Sequence, residues 1–583
     1  MTAGESDRDV GGPSRRSLLA TTGALMATTS GCIRQTRSIV NRDGLDQLSL
    51  TITTLPADGD RESIQLAREL ETVLETVGID VSIEMRSHEE FLRAVLINHD
   101  FDICVGTHPG GTDPDYLYET LHSRFADESG WQNPFGYTNL QVDELLERQR
   151  TVDPDQRDDA VAELLDAFAV EQPFVPICAP DEHRLVRTDR FDGWGEGHPA
   201  TRLGYLDLEP ADGVDRLRAV NTDARISENA NPLMAEYRDQ DPFVDLLYDS
   251  LATEHDGDIE PWVAEDWTWD DGTLTVTLRD DCRFHDGEPL RADDVEFTYR
   301  FLADTSLGAS ETPAPSPQYR GLVSAIDDVS ADDDHQLTFT ATTNEPVAER
   351  ALTVPILPEH VWESRSEPAS VPGVQIAQGT TEAVVTDNWP PIGSGPFRFD
   401  ERGERDFVTL ARFEDHVSLR PEVDLPEPTV DSFRVQIDPR STSAIENVET
   451  DAADVTTRPL ETYVIDDIEE RDETQVLESP SWTFYTLGFN TRIAPFSNPR
   501  FRQAIAALVD RAWLVEEVFD GYASPIAMPV PAAWTPEDLA WDGDDPTTPF
   551  LGTDGDVDVD AARSAFEDAG FRYDSDGELR VRQ

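Results

Sequence analysis

The residues of this chain best suited to specific contacts sit in "VGTHPGGTDPD", residues 105–115. The stretch follows "FDICV", which reads as a short buried strand. Ligands of open α/β sheets collect at such C-terminal strand ends. Thr107, His108, Gly110, Thr112 and Asp113 offer hydroxyls, an imidazole, open backbone N–H and a carboxylate, which is an inventory for recognition. His108 is either a ligand contact or a plain loop residue. Three aromatics can join them: Trp482 and Tyr485 in "SWTFYTLGFN", and Trp389 before "PPIGSGP". Their rings can stack on a solute or pack in a core. Asn229 and Asn231, in "NTDARISENANP", are further candidate polar contacts.

Bond-breaking chemistry finds no support. The sequence has no Gly-x-Ser-x-Gly elbow, no His-Glu-x-x-His, no phosphate loop and no Cys/His cluster. "DSDGE" and "DGDVDVD" resemble calcium loops but lack the later Gly and Glu. The expectation is a binding protein, not an enzyme, with no cofactor and no bound metal.

The elements that must hold these residues are mixed. "DQLSLTIT" alternates like a strand. "DRESIQLARELETVLETVGID" carries apolar residues at helical spacing and stops at Gly78. "VSIEMRS" is a strand, "HEEFLRAVLINHD" a helix, and "FDICVG" a buried strand. This β-α-β-α-β order predicts an α/β fold with a partly parallel sheet. Residues 262–282 predict a hairpin turning at Asp-Gly. "YLDLEPADGVDR", residues 205–216, reads as a polar linker, and Gly570 as the stop of a late helix. Cys104, Cys178 and Cys282 lie in apolar or mixed runs and read as buried thiols.

Charge narrows the setting. The chain has 118 Asp+Glu against 46 Lys+Arg, a formal −72, and every base is Arg. The acids are dispersed. Such a surface repels itself at low salt and is screened when the Debye length falls to about 3 Å at 1 M. A high-salt, haloarchaeal-like origin is expected. With no basic stripe, nucleic acid is not an expected partner. At the N-terminus, Arg15 and Arg16 precede a short apolar run to Gly31, as in a twin-arginine export signal. "TTSGC" resembles a lipobox, with Cys32 as the lipid anchor and Thr29 where such boxes prefer Leu. The mature chain is expected at the outer face of the cell membrane.

Three long stretches resemble one family. Residues 261–302 ("PWVAEDWTWDDGTLTVTLRDDCRFHDGEPLRADDVEFTYRFL"), 391–399 ("PIGSGPFRF") and 487–525 ("LGFNTRIAPFSNPRFRQAIAALVDRAWLVEEVFDGYASP") resemble the family 5 extracellular solute-binding proteins of ABC transporters. That is the oligopeptide-, dipeptide- and nickel-binding type. The resemblance implies two α/β lobes of the type II periplasmic-binding-protein kind, with an extra subdomain and a ligand cleft between the lobes. It implies a small solute, peptide favoured, permease subunits as partners, and a monomer. The segment 391–399 is similar to the family's crossing segment.

The order of the pieces differs from the family. Residues 47–210 resemble its C-terminal third and 214–583 its N-terminal two thirds, so the chain resembles a circular permutant. The expected divisions are a signal (1–32), a tether (33–46), the first part of the second lobe (47–176), a return to the first lobe with linker (177–215), the first lobe with its subdomain (216–486), and the rest of the second lobe (487–583). In peptide-binding relatives the loop matching 105–115 carries an Asp for the peptide's α-amino group. Gly110 stands at that position, with Asp113 and Asp115 nearby but out of register.

Overall fold

The computed structural model describes residues 46–238, 242–369, 380–469 and 471–581. The expected export signal and Cys32 lie outside them.

Two large sheets organise the chain. One has six strands in the order Ala523–Pro525, Phe174–Pro180, Thr483–Phe489, Ile103–Pro109, Ser49–Thr54, Asp80–Met85. Its last three strands run parallel, joined by helical crossovers as the β-α-β-α-β pattern predicts. Thr483–Phe489 is antiparallel to both of its neighbours. The other sheet has seven strands: Phe397–Gly403, Phe407–Arg412, Ser432–Ile437, Arg216–Asn221, Val455–Thr456, Glu182–Arg187, Thr474–Ser479. A four-stranded antiparallel sheet forms a subdomain, beginning with Ala264–Asp270 and Thr273–Leu278. Asp271 and Gly272 turn that hairpin with φ of 44° and 82°, both positive as a two-residue turn requires.

Local chemistry explains the first crossover. Asp60 caps helix Arg61–Thr76, its Oδ1 accepting from the Ser63 N–H at 3.0 Å. Ile64, Ala67, Leu70 and Leu74 recur at helical spacing and are buried. Gly78 ends the turn at φ 93°, and a Cβ there would meet the Gly577 carbonyl oxygen at 2.1 Å. Only glycine lets this turn approach the backbone of Gly577 so closely. Asp46 pairs with Val581 and Gln47 with Arg580 in a small antiparallel ladder. Leu579 then donates its N–H to the Gly78 carbonyl at 2.9 Å.

Alternation along Ile103–Pro109 divides the six-stranded lobe into two cores. Ile103 and Val105 pack with Ile52, Leu487 and Phe501 on one face. Cys104 packs with Phe135, Phe174 and Phe484 on the other. Burying each large apolar side chain is worth about 1.5–3 kcal/mol, so register is firmly set. Cys104, Cys178 and Cys282 are all buried.

The chain passes between the sheets at Asp181 and again at 480–482. Divisions at 176 and 486 therefore cut strands Phe174–Pro180 and Thr483–Phe489; the structure moves them to those two crossings. Pro391–Phe399 enters the edge strand Phe397–Gly403 of the seven-stranded sheet, and so is not a crossing between sheets. Residues 205–216 are only partly a linker. Tyr205, Leu206 and Leu208 are buried in the first lobe's core, and Glu209–Pro210 pairs with Phe191–Asp192. The apolar members of "YLDL" outweigh their acidic neighbours. Among the described residues no helix is long and apolar enough to cross a membrane.

Candidate functional site

The site is built where a central strand ends beside a crossing. Thr483 faces Pro109, Phe484 faces His108 and Tyr485 faces Thr107. The Gly110 N–H donates to the Trp482 carbonyl at 2.7 Å. A Cβ on Gly110 would lie 2.9 Å from that oxygen and 3.3 Å from the Phe484 ring. An Asp at this position would need the backbone to shift.

Nor do the neighbouring acids replace it. Asp113 is gripped by Arg157 through two hydrogen bonds of 2.6 and 2.7 Å. Burial alone would raise its pKa, but the Arg157 bonds and the charges of Arg350 and Arg157 hold it below the usual carboxylate range. Asp115 accepts from Arg150 Nε at 2.6 Å, Arg150 Nη2 at 2.7 Å and Gln149 at 2.8 Å. Both carboxylates brace the loop from beneath. The expectation that Asp113 offers itself to a ligand is corrected, because a bidentate arginine already fills its acceptor sites.

Across from the loop stands the first lobe. The Thr112 hydroxyl donates to Glu254 Oε1. Glu254 lies on strand Ala252–His255, and Arg350 closes helix Glu345–Arg350. Arg350 Nη1 is 3.4 Å from Thr112 Oγ1 and 3.6 Å from Glu254 Oε2. Behind them Trp482 stacks on His198, with ring centroids 4.0 Å apart and planes 15° from parallel. His198 Nε2 donates to the Pro480 carbonyl at 2.9 Å, and its Nδ1 accepts from the Ala200 N–H at 3.2 Å. Burial pushes the imidazole towards its neutral form despite the Pro480 carbonyl. Glu182 pairs with Arg184 at 2.8 Å and accepts from Ser481 at 3.0 Å. The crossing is thus lined by charges of both signs that balance, in a chain of net −72.

A second contact between lobes flanks the other side. Glu62 Oε1 accepts from Thr462 Oγ1 at 2.8 Å, and the Arg61 guanidinium lies 4.6 Å from the Tyr463 ring centroid. Burial, then the charge of Asp60, pushes Glu62 up to about 7.

Of the sequence candidates, Gly110, Thr112, Asp113 and Trp482 come together here, while Thr107 sits further back on the strand, opposite Tyr485. His108 does not. It is 2% exposed and ringed by Tyr116, Trp131, Phe135, Phe174 and Phe484 at 5.3–6.1 Å. It is a core residue, because the strand runs on to Pro109 and alternation turns its ring inward. Tyr485 is likewise buried, its hydroxyl donating to Asp60 at 3.2 Å. Asn231 donates to the Ala383 and Thr386 carbonyls at 2.7 and 2.8 Å. Asn229 accepts from the Asn231 N–H at 2.7 Å, and Trp389 Nε1 donates to the Glu228 carbonyl at 3.0 Å. These three knit first-lobe loops together, which corrects their assignment as ligand contacts. Sequence reading missed Glu254, Arg350, His198, Glu182 and Arg184. No periodicity marks them, and only the fold sets Glu254 opposite Thr112. Among the described residues no group of three or more His, Cys, Asp or Glu could hold a metal ion.

The family described as bacterial extracellular solute-binding proteins, family 5 (middle) matches residues 258–583, more than half of the chain. The glutathione-binding protein GsiB of Pectobacterium atrosepticum is 26% identical over 259 residues, 44% of this chain and 45% of its own. The oligopeptide-binding protein AppA of Bacillus subtilis is 24% identical over 301 residues, 50% of each. The chain spans about half the length of the curated relatives it matches. Two solved structures are also similar. NikZ of Campylobacter jejuni, in complex with Ni(L-His), is 19% identical with a TM-score of 0.44, over 63% of this chain and 65% of its own. AppA of Bacillus subtilis, with a nonapeptide, is 19% identical with a TM-score of 0.43, over 62% and 67%.

Proposed function

This chain belongs to the bacterial extracellular solute-binding proteins of family 5, and we propose that it captures small solutes, peptides first among them, between its two lobes and delivers them to the permease of an ABC importer. The observation that carries this is the contact of Thr112 with Glu254 across the crossing: a polar, charge-balanced surface at the end of a central strand, where the lobes close. Peptide backbones need such paired donors and acceptors in a place shielded from water. The chain performs no chemical step in this reading. Titration calorimetry with mixed di- to pentapeptides tests it; heat and saturation at one site are expected, and silence with every peptide would sink it. A sugar is the second reading, favoured by the half-buried Trp482 ring beside His198.

The same proposal takes the chain as permuted. Support comes from strand Thr483–Phe489, which lies between Ile103–Pro109 and Phe174–Pro180, and from the Asp46–Val581 pairing. A chain re-cut to begin at Val214 and end at Ala211, with Gln583 joined directly to Asp46, is expected to fold and bind as the parent does. Failure of that chain to fold, under conditions where the parent folds, would count against permutation.

Export by the twin-arginine route and a lipid on Cys32 belong to this proposal, resting on Arg15, Arg16 and "TTSGC"; fractionation of cells carrying Cys32→Ala reads the anchor. The dispersed −72 charge supports adaptation to molar salt. The Tm is expected to drop by roughly 10 °C or more between 3 M and 0.2 M KCl. A flat Tm would contradict it.

A further inference from the structure

Among the charged groups at the crossing, Arg350 is the one held loosely. Arg150 and Arg157 each grip a carboxylate with bonds of 2.6–2.7 Å, and Arg184 pairs with Glu182 at 2.8 Å. Arg350 instead makes one long bond, from Nη1 to the Thr112 hydroxyl of the opposite lobe at 3.4 Å, and stands 3.6 Å from Glu254 and 4.0 Å from Asp113, whose oxygens both accept from Arg157. Its Nε is buried and has no hydrogen-bond partner. A planar guanidinium fork favours two parallel bonds to one carboxylate, and here no such carboxylate completes it. Glu254 is in a matching state. One of its oxygens takes the Thr112 hydroxyl from the opposite lobe, and the other makes only the long contact with Arg350. Both side chains keep some solvent access, 14% for Arg350 and 20% for Glu254. Opening the lobes removes Thr112 and leaves a negative and a positive group side by side on the first lobe.

We propose that Glu254 and Arg350 form a clamp for a solute head group that carries an ammonium and a carboxylate on the same carbon, as in a free α-amino acid or a γ-glutamyl peptide. The ammonium takes Glu254 in place of Thr112, and the carboxylate completes the Arg350 fork. Adjacent counter-charges suit adjacent charges; in an α-linked peptide the two termini lie at opposite ends of the molecule. The clamp adds two charges that cancel, so closure buries a balanced quartet instead of an unpaired ion. Gly110 explains why the negative partner comes from the first lobe, since a Cβ there would collide with the Trp482 carbonyl. This inference rests on the solute-binding reading above and names its solute class.

The test is calorimetric titration of the full chain in molar KCl with γ-glutamylleucine, α-glutamylleucine and N-acetyl-γ-glutamylleucine. The first is expected to bind tightest. Acetylation, Glu254→Gln and Arg350→Gln are each expected to weaken it roughly 10- to 100-fold, the weight of one charge-assisted contact. Melting curves of the two variants confirm folding, and the acetylated ligand tests the parent chain independently of any variant. Equal binding of the acetylated and free forms, or unchanged affinity in both variants, would overturn the clamp while leaving solute capture intact. If none of the three peptides nor the di- to pentapeptide mixture binds, the peptide reading falls with it.

Discussion

Asp115→Ala is expected to cost about 3–5 kcal/mol of stability, the range for a buried ion left without its partner. Asp115 is 4% exposed and Arg150 3%. With the carboxylate removed, Arg150 keeps its Nη1 bond to Ser324 at 3.0 Å and its position 3.5 Å over the Tyr118 ring. Neither neutralises a guanidinium. The damage should spread to the lobe contact, because the Asn344 N–H donates to the Arg150 carbonyl at 2.6 Å, and the Asn344 side chain donates to the Gln149 carbonyl at 2.9 Å. Denaturant melts measure the loss. Adding Arg150→Met to Asp115→Ala should recover most of it, since a well-packed apolar side chain needs no counter-charge. A single variant within 0.5 kcal/mol of the parent would show that the pair is not the brace described.

His108→Phe should do the opposite. Both imidazole nitrogens of His108 are buried without a hydrogen-bond partner inside an aromatic cage. At neutral pH removing them should gain about 1–3 kcal/mol. The gain should grow in acid. Burial lowers the His108 pKa from 6.5 to about 4. Between those values the unfolded chain binds a proton that the folded chain refuses, so stability is lost as pH falls from 6.5 towards 4. The full difference is about 3 kcal/mol. His285, also lowered to about 4, adds loss of the same sign and remains in the variant. Glu119 acts oppositely: burial raises it to about 7, so its contribution is present in acid and lost as pH rises through 7. Melts from pH 4.5 to 7.5 should show the His108→Phe curve above the parent throughout, with the gap widest below pH 5. A variant less stable than the parent at pH 5 would contradict the reading of the cage.

His108 also shows where sequence reasoning stops. The β-α-β order, the Asp-Gly hairpin and the Gly78 stop follow from local patterns, and the structure forms each of them. The strand "FDICV" was legible too, but its end was not. It continues through Gly106 and His108 to Pro109, and that extension alone turns a loop histidine into a core one. Asp113 and Asp115 fail as ligand groups for another reason. Their partners Arg157 and Arg150 lie more than 30 residues away on helices, and no spacing rule links a loop acid to them. Residues 205–208 were hidden by their charged neighbours, although Tyr205, Leu206 and Leu208 carry the core's chemistry. Glu254 and Arg350 left no trace in the sequence, since each is ordinary in its own element and only the fold sets them beside each other and opposite Thr112.

The most direct measurement is mass spectrometry of the small molecules released on denaturing the chain after purification from its native cells in molar salt. Peptides or peptide-like compounds near one per chain, with free amino and carboxyl groups on one carbon, are predicted. A sugar, a metal chelate or an empty protein would contradict the account of a peptide-binding cleft.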